Sequence, residues 1–268
     1  MRAIRLVAGA VFRESVRDRV PYSMVAFAVL LMAASYLISQ LTAGQDLKII
    51  KDLGLAAMSV FGMLIAVFLG IGLVSKEVER KSIFALLSKP VTRTQFILGK
   101  YVGLLATLVV NLGVMTVAYY VVLAYMNATA SAATRAGWAT PALDPRLLVA
   151  IVLVMAEVAL VTALALFFST FSSPLLSALL TLGLWVAGHF NRDLRHFGDV
   201  LDAAPVVAVA RGLYYVLPNL APFDVKAEAV YGLPISASHV GFTLAYAALY
   251  SGVLLTAAMA IFNRRDFK

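Results

Sequence analysis

Few residues of this chain have types and spacing that could do chemistry. Glu157 stands alone in the apolar run VMAEVALV. A carboxylate at the centre of a membrane helix costs about 3 kcal/mol unless it is paired, neutral or facing water. It could therefore line a transport pathway or bind a proton. Alternatively, it could make a polar contact between helices, with Thr162 or with a Ser or Thr of another helix.

Motifs typical of enzymes and metal sites are missing from the sequence. Gly99-Lys100 comes nearest to a phosphate-binding loop, but Thr94 stands where that motif needs glycine and Tyr101 where it needs Ser or Thr. The three histidines match no metal-binding spacing, so we expect them to be at the surface or locally hydrogen-bonded. The sequence shows no nucleophile–base set and has no cysteine. We therefore expect no catalytic residue, metal or cofactor in this chain.

The composition predicts an all-α polytopic membrane protein. Of the 268 residues, 62% are apolar and 13% are charged. Soluble domains contain about 25% charged residues. Apolar segments long enough to cross about 30 Å of hydrocarbon must be helical, because lipid offers no partner for backbone groups. Six transmembrane helices are predicted, at about 21–41, 53–74, 101–126, 147–170, 175–190 and 240–262. The fifth is short, and Ser173 and Pro174 predict its start.

The distribution of basic residues predicts the orientation. The net charge is +8, and most of the 22 lysines and arginines lie in residues 1–20, 75–100 and 263–268. With six spans these segments share one side of the membrane. By the positive-inside rule, that side is cytoplasmic. We expect a bacterial inner-membrane protein with both termini in the cytoplasm, and no nucleic-acid partner.

Three regions outside the spans carry further structure. Residues 1–20 have apolar side chains at helical spacing and five arginines, which predicts an interfacial helix. Residues 75–100 predict a helix that stops before Pro90 and a second helix capped by Thr92 or Thr94. The outer loop 191–239 contains an apolar stretch, 205–218, that is too short to span and suits a re-entrant segment. Glycines in the second and third spans predict close helix packing: Gly54, Gly62, Gly70, Gly72, Gly99 and Gly103.

The motifs around the region 75–100 resemble a known family. They are KExERK from Lys76, LLSKPVxR from Leu86 and LGKYxG from Leu98, followed by LPNLxPF from Leu217 and FxRRDF from Phe262. In these motifs, and across essentially its whole length, the chain resembles the ABC-2 type permeases, the membrane subunits of ATP-binding-cassette exporters. It is most similar to the branch that includes the permease for maturation of a multicopper enzyme, nitrous-oxide reductase.

The resemblance implies a transport role and partners. In such exporters the first cytoplasmic loop forms a coupling helix that sits in a cleft of the ATPase subunit. ATP and Mg²⁺ would bind to that subunit. A second permease subunit, as a homodimer, would complete the transporter, with surrounding lipid as a further contact. The coupling residues implied here are Glu77, Glu79, Arg80, Phe84, Leu87, Pro90 and Arg93.

Two other functions compete with an ATP-driven exporter. An ion- or proton-coupled secondary transporter would work through Glu157 without an ATPase, although the sequence shows no inverted repeat. A membrane scaffold would recruit an ATPase through 75–100 without moving a substrate. The substrate itself has no signature in the sequence.

Overall fold

The computed structural model describes residues 2–39, 46–79, 92–190 and 217–264. The described residues form α-helices and one short 3-10 turn, without strands, which confirms the all-α prediction. In chain order the elements are α1 (Arg2–Arg17), α2 (Arg19–Ser39), α3 (Asp46–Glu79), α4 (Arg93–Thr129), α5 (Ala132–Ala136), α6 (Arg146–Ser169), α7 (Pro174–His189), the 3-10 turn (Ala221–Phe223), α8 (Lys226–Tyr231) and α9 (Ala237–Arg264).

Five helices in the described residues are long and apolar enough to cross a membrane: α2, α3, α4, α6 and α9. The predicted fifth span, α7, is a helix of 16 residues. That length is about 24 Å, short of the ~30 Å of hydrocarbon. Its start matches the prediction, because Ser173 caps the Leu176 amide and Pro174 opens the helix. The chain is therefore a multi-pass membrane protein in which α7, the predicted fifth span, is shorter than the other apolar helices.

Helices α3 and α4 extend well beyond the predicted spans. Helix α4 begins at Arg93, where Thr92 forms a capping box with Gln95, as one of the two predicted caps. Helix α3 begins at Asp46, inside the predicted outer loop 42–52, so Lys51 is a buried helical residue. Lys51 Nζ donates to Thr140 Oγ1 at 2.8 Å and to the Pro141 carbonyl at 2.7 Å. These bonds replace the water that a buried ammonium loses, and they fix the start of α3 to the loop before α6.

Helix α6 is the centre of the bundle. It is apolar on all sides, as expected for a helix that is surrounded by others. It packs against α3, α4, α7, α8 and α9. Gly70 of α3 makes the closest approach, since a Cβ there would lie 2.8 Å from the Ala165 Cβ. A Cβ at Gly72, in contrast, would meet no atom within 4 Å.

The N-terminal helix α1 lies on the first turns of α4. Val7 and Val11, on its predicted apolar face, are buried there. They sit directly over Gly99 and Gly103, where an added Cβ would come within 2.6 Å of Val7 Cβ or 2.7 Å of the Ala8 carbonyl oxygen. The G-x-x-x-G pattern therefore serves the docking of α1, and the two helices are in contact because no side chain intervenes.

We predict that Gly103→Ala lowers the thermal stability of the purified protein and loosens α1. The new methyl group has no room beneath Val11, and overpacking of this kind costs about 1–3 kcal/mol. Thermal unfolding and hydrogen exchange of residues 2–17 in detergent measure the effect. Gly113→Ala, in the same helix with open space around its Cβ, is the matched control. Equal behaviour of the two variants would contradict the packing assignment.

Candidate functional site

The internal carboxylate site consists of Glu157, Trp185 and His189. Glu157 lies near the middle of α6, about 17 Å from either end at 1.5 Å per residue, and only 2% of its surface is exposed. Trp185 Nε1 donates to Glu157 Oε1 at 2.6 Å, and His189 Nε2 lies 3.4 Å from the same oxygen. Both partners come from α7, so the carboxylate joins α7 to the central helix.

The imidazole ring of His189 has a different partner at each of its two nitrogens. Its Nδ1 lies 2.9 Å from the Trp185 carbonyl oxygen, which can only accept, so Nδ1 carries a proton. Its Nε2 faces Glu157 Oε1 at 3.4 Å, so the ring contacts both its own helix and the central helix α6.

The carboxyl end of α7 stops at the level of Glu157 and is capped by a distant segment. The Leu220 amide donates to the Gly188 carbonyl at 3.0 Å. A Cβ at Gly188 would lie 2.8 Å from the Pro218 carbonyl oxygen, so this contact requires glycine. Helix α7 thus ends beside Glu157 with the Gly188 carbonyl paired to a residue of another segment.

The segment 217–223 is held by α9. Tyr246 Oη accepts a hydrogen bond from the Asn219 amide at 2.9 Å, and His239 Nε2 donates to the Pro222 carbonyl at 2.9 Å. Leu220 and Phe223 are fully buried against α6. The LPNLxPF motif therefore links α6, α7 and α9 next to the internal carboxylate site.

The sequence located Glu157 but not its partners. Of the alternatives considered for Glu157, the contact with Thr162 is not the one observed, because the Thr162 hydroxyl donates to the Val158 carbonyl of its own helix at 2.7 Å. Trp185 and His189 stand four residues apart in an apolar helix, the spacing that puts two side chains on one helix face. This four-residue spacing was the sequence feature that could have identified Trp185 and His189 as a pair. His189 and His239 are locally hydrogen-bonded, as expected, whereas His196 lies outside the described residues.

Arg93 lies at the terminal face, which we define as the end of the bundle where α1, the start of α4 and the end of α9 meet. Its Nη1 donates to the carbonyl oxygens of Phe262 and Asn263, both at 3.0 Å. The rings of Phe96 and Phe262 stack beside it with centroids 5.9 Å apart. Arg93 thus caps the carboxyl end of α9, where a cation also interacts favourably with the helix dipole.

The other residues of the implied coupling region are not brought into a described site. Glu77 and Glu79 fall in the last turn of α3. Arg80, Phe84, Leu87 and Pro90 lie outside the described residues, as does most of the expected re-entrant segment 205–218. Within the described ranges, no group of three or more His, Cys, Asp or Glu side chains could hold a metal ion.

Comparison with protein-family models identifies the family of this chain. The family model described as "ABC-2 family transporter protein" matches residues 6–267, nearly the whole chain. The chain belongs to the ABC-2 transporter family. A search of curated proteins found no match. The family agrees with the resemblance seen in the motifs, and its permeases generally work with a cytoplasmic ATPase subunit.

Family membership identifies the chain as a membrane subunit of an ABC transporter. Membrane domains of ABC-2 permeases are not themselves catalytic. At the terminal face and at the internal carboxylate site, side-chain hydrogen bonds join helices that are distant along the chain.

We predict that Trp185→Phe destabilises the permease and weakens the attachment of α7 to α6. The phenyl ring retains the apolar contacts but removes the indole N–H, and hydrogen bonds to charged groups contribute about 1.5–3 kcal/mol. Thermal unfolding in detergent measures the effect. Trp138→Phe, which changes the other of the two tryptophans, is the matched control. If both variants unfold at the wild-type temperature, the Trp185–Glu157 bond contributes nothing.

We also predict that Arg93→Ala loosens the carboxyl end of α9. The Phe262 and Asn263 carbonyls lose a charged donor at a partly exposed position. We therefore expect amide exchange in residues 258–263 to accelerate roughly fivefold. Hydrogen exchange followed by mass spectrometry measures it. Arg13→Ala removes an exposed arginine that bonds within its own helix, and should leave α9 unchanged. Unaltered exchange in Arg93→Ala would show that the cap is not needed.

Proposed function

We propose that this permease couples ATP hydrolysis by a separate cytoplasmic ATPase subunit to substrate export. It would work as a pair of identical permeases in the bacterial inner membrane, with both termini in the cytoplasm. ATP and Mg²⁺ would bind to the ATPase subunit. The docking surface on the permease would lie in residues 75–100. The proposed docking residues are Glu77, Glu79, Arg80, Phe84, Leu87 and Pro90.

The observation that carries the proposal is the set of contacts at the terminal face. Residues 75–92 lead directly to α4. The start of α4 supports α1 through Gly99 and Gly103 and holds α9 through Arg93. A push on the segment before α4 would therefore move α1, α4 and α9 together. This arrangement supports coupling, because an ATPase docked on one short segment would act on three helices.

Within this proposal Arg93 has a different role from the other docking residues. Its guanidinium is engaged with α9 carbonyls, so we assign it to transmission of movement and leave binding of the ATPase to the segment before it. Phe84 and Leu87 would supply the apolar anchor of a small docking surface, with charged residues at its rim. Binding and coupling should therefore be separable by mutation.

The internal carboxylate site supports a role for Glu157 beside the translocation path. A buried carboxyl group that contacts an imidazole and an indole can respond to a substrate or to a proton. The same observation favours the second candidate, a proton-coupled secondary transporter. In that case transport would proceed without an ATPase and would depend on Glu157.

The experiment is co-purification of the tagged permease with its candidate ATPase, followed by ATP hydrolysis in liposomes. We predict that Phe84→Ala and Glu77→Ala weaken complex formation by about tenfold or more, as for truncation of an interface anchor. Arg93→Ala should leave binding intact but reduce the effect of the permease on hydrolysis. Glu14→Ala, at an exposed position of α1, is the control.

The possible outcomes separate the candidate functions. Binding that is indifferent to Phe84→Ala and Glu77→Ala would overturn the coupling proposal. Transport that persists without the ATPase and is lost in Glu157→Leu would establish the secondary transporter. Stable binding with hydrolysis that never responds to the permease or to any substrate would indicate a scaffold.

A further inference from the structure

A cavity of about 200 Å³ lies between the first turns of α2 and the second half of α3. Its floor is formed by buried apolar side chains of Pro21, Ile65 and Leu69. Val20 and Phe68 form its rim and are 44% and 55% exposed. The cavity therefore opens toward the surroundings of the bundle.

The cavity forms because the side chains on one face of α3 end at a glycine, Gly72. Ile65, Phe68, Leu69 and Gly72 follow the spacing of a single helix face. The last of them has no side chain, and a Cβ there would meet nothing within 4 Å. At the level of Gly72 in the bundle, α2 is still in its first turns. An engineered apolar cavity of about 150 Å³ is large enough to hold benzene and remains dry, so this larger one can hold part of a hydrocarbon chain.

An acidic residue lines the cavity and is flanked along the chain by two arginines. Asp18 lines it, at the corner between α1 and α2, and its Oδ1 accepts a hydrogen bond from the Val20 amide at 3.1 Å. Its neighbours Arg17 and Arg19 are exposed. The corner joins an amphipathic helix to the start of an apolar span, and such a junction lies at headgroup level in a membrane. A carboxylate between two guanidinium groups matches a headgroup that carries both an ammonium and a phosphate group.

We propose that this cavity binds a phospholipid with an ammonium-bearing headgroup. One acyl chain occupies the space between α2 and α3. The phosphate lies near Arg17 and Arg19, and the ammonium group lies near Asp18. The bound lipid fills the gap left by Gly72 and forms part of the packing between α2 and α3. This inference does not depend on ATP coupling, and it concerns a surface away from the internal carboxylate site.

The experiment uses the full-length permease in nanodiscs that contain a trace of phospholipid with a photoreactive diazirine in its acyl chain. One set carries a phosphatidylethanolamine probe and the other a phosphatidylglycerol probe. Mass spectrometry locates the labelled residues. We expect label on Met24 and Phe68, with the ethanolamine probe favoured roughly two- to fivefold, the range for an exposed ion pair.

Two variants and a control decide the result. Gly72→Trp fills the cavity and should reduce label on Met24 about tenfold, whereas Gly113→Trp, at another open glycine, should not. Asp18→Asn should remove the preference for the ethanolamine probe. If Gly72→Trp fails to fold, Met24→Trp fills the cavity from α2 and label on Phe68 is measured. Label that persists in the filled variants, equal labelling by both probes, or a crosslink to a second permease at Met24 would overturn the proposal.

Discussion

A polar group inside a lipid-embedded bundle must find its partner within the protein, and the rest of this structure follows from that constraint. Water is absent from the hydrocarbon region, so an unpaired backbone or side-chain group costs several times what it would cost at a soluble surface. Glu157 meets the requirement with the indole of Trp185 and the imidazole of His189. Lys51 meets it with a hydroxyl and a carbonyl group near the start of α3.

The same constraint explains how a helix can end inside the bundle. Helix α7 stops at His189, where its last carbonyls would face lipid-like surroundings. The amide of Leu220 bonds to one of them, at Gly188. The LPNLxPF motif is thus a cap supplied from a distant part of the chain.

At the terminal face, close helix packing joins separate parts of the chain. Glycines at 99 and 103 bring the backbone of α4 against α1, and Arg93 bonds the start of α4 to the end of α9. Packed interiors are stiff, so a displacement at one of these helices is passed to the others instead of being absorbed. Helix α1, the start of α4 and the end of α9 are therefore packed and bonded together.

Much of this organisation could be predicted from local sequence. Apolar length predicted the helices, and capping chemistry predicted the start of α7 at Ser173 and of α4 at Thr92 or Thr94, of which the structure has Thr92. Periodicity predicted the face of α1 that is buried. The sequence did not predict that α3 would begin at Asp46, because Lys51 reads as a loop residue until Thr140 and Pro141 are placed beside it.

The sequence by itself determined the class, the number of apolar helices and their capped starts, since each depends on neighbours within a few residues or on total apolar length. It also singled out Glu157, because one carboxylate in an apolar run is anomalous on its own. Only the tertiary structure decided what Glu157 contacts, that α7 ends beside it, and that Arg93 holds α9. Those pairs join residues 28 and 169 positions apart along the chain. The contacts between these residues depend on how the helices pack. Helix periodicity does not determine which helix packs against which other helix.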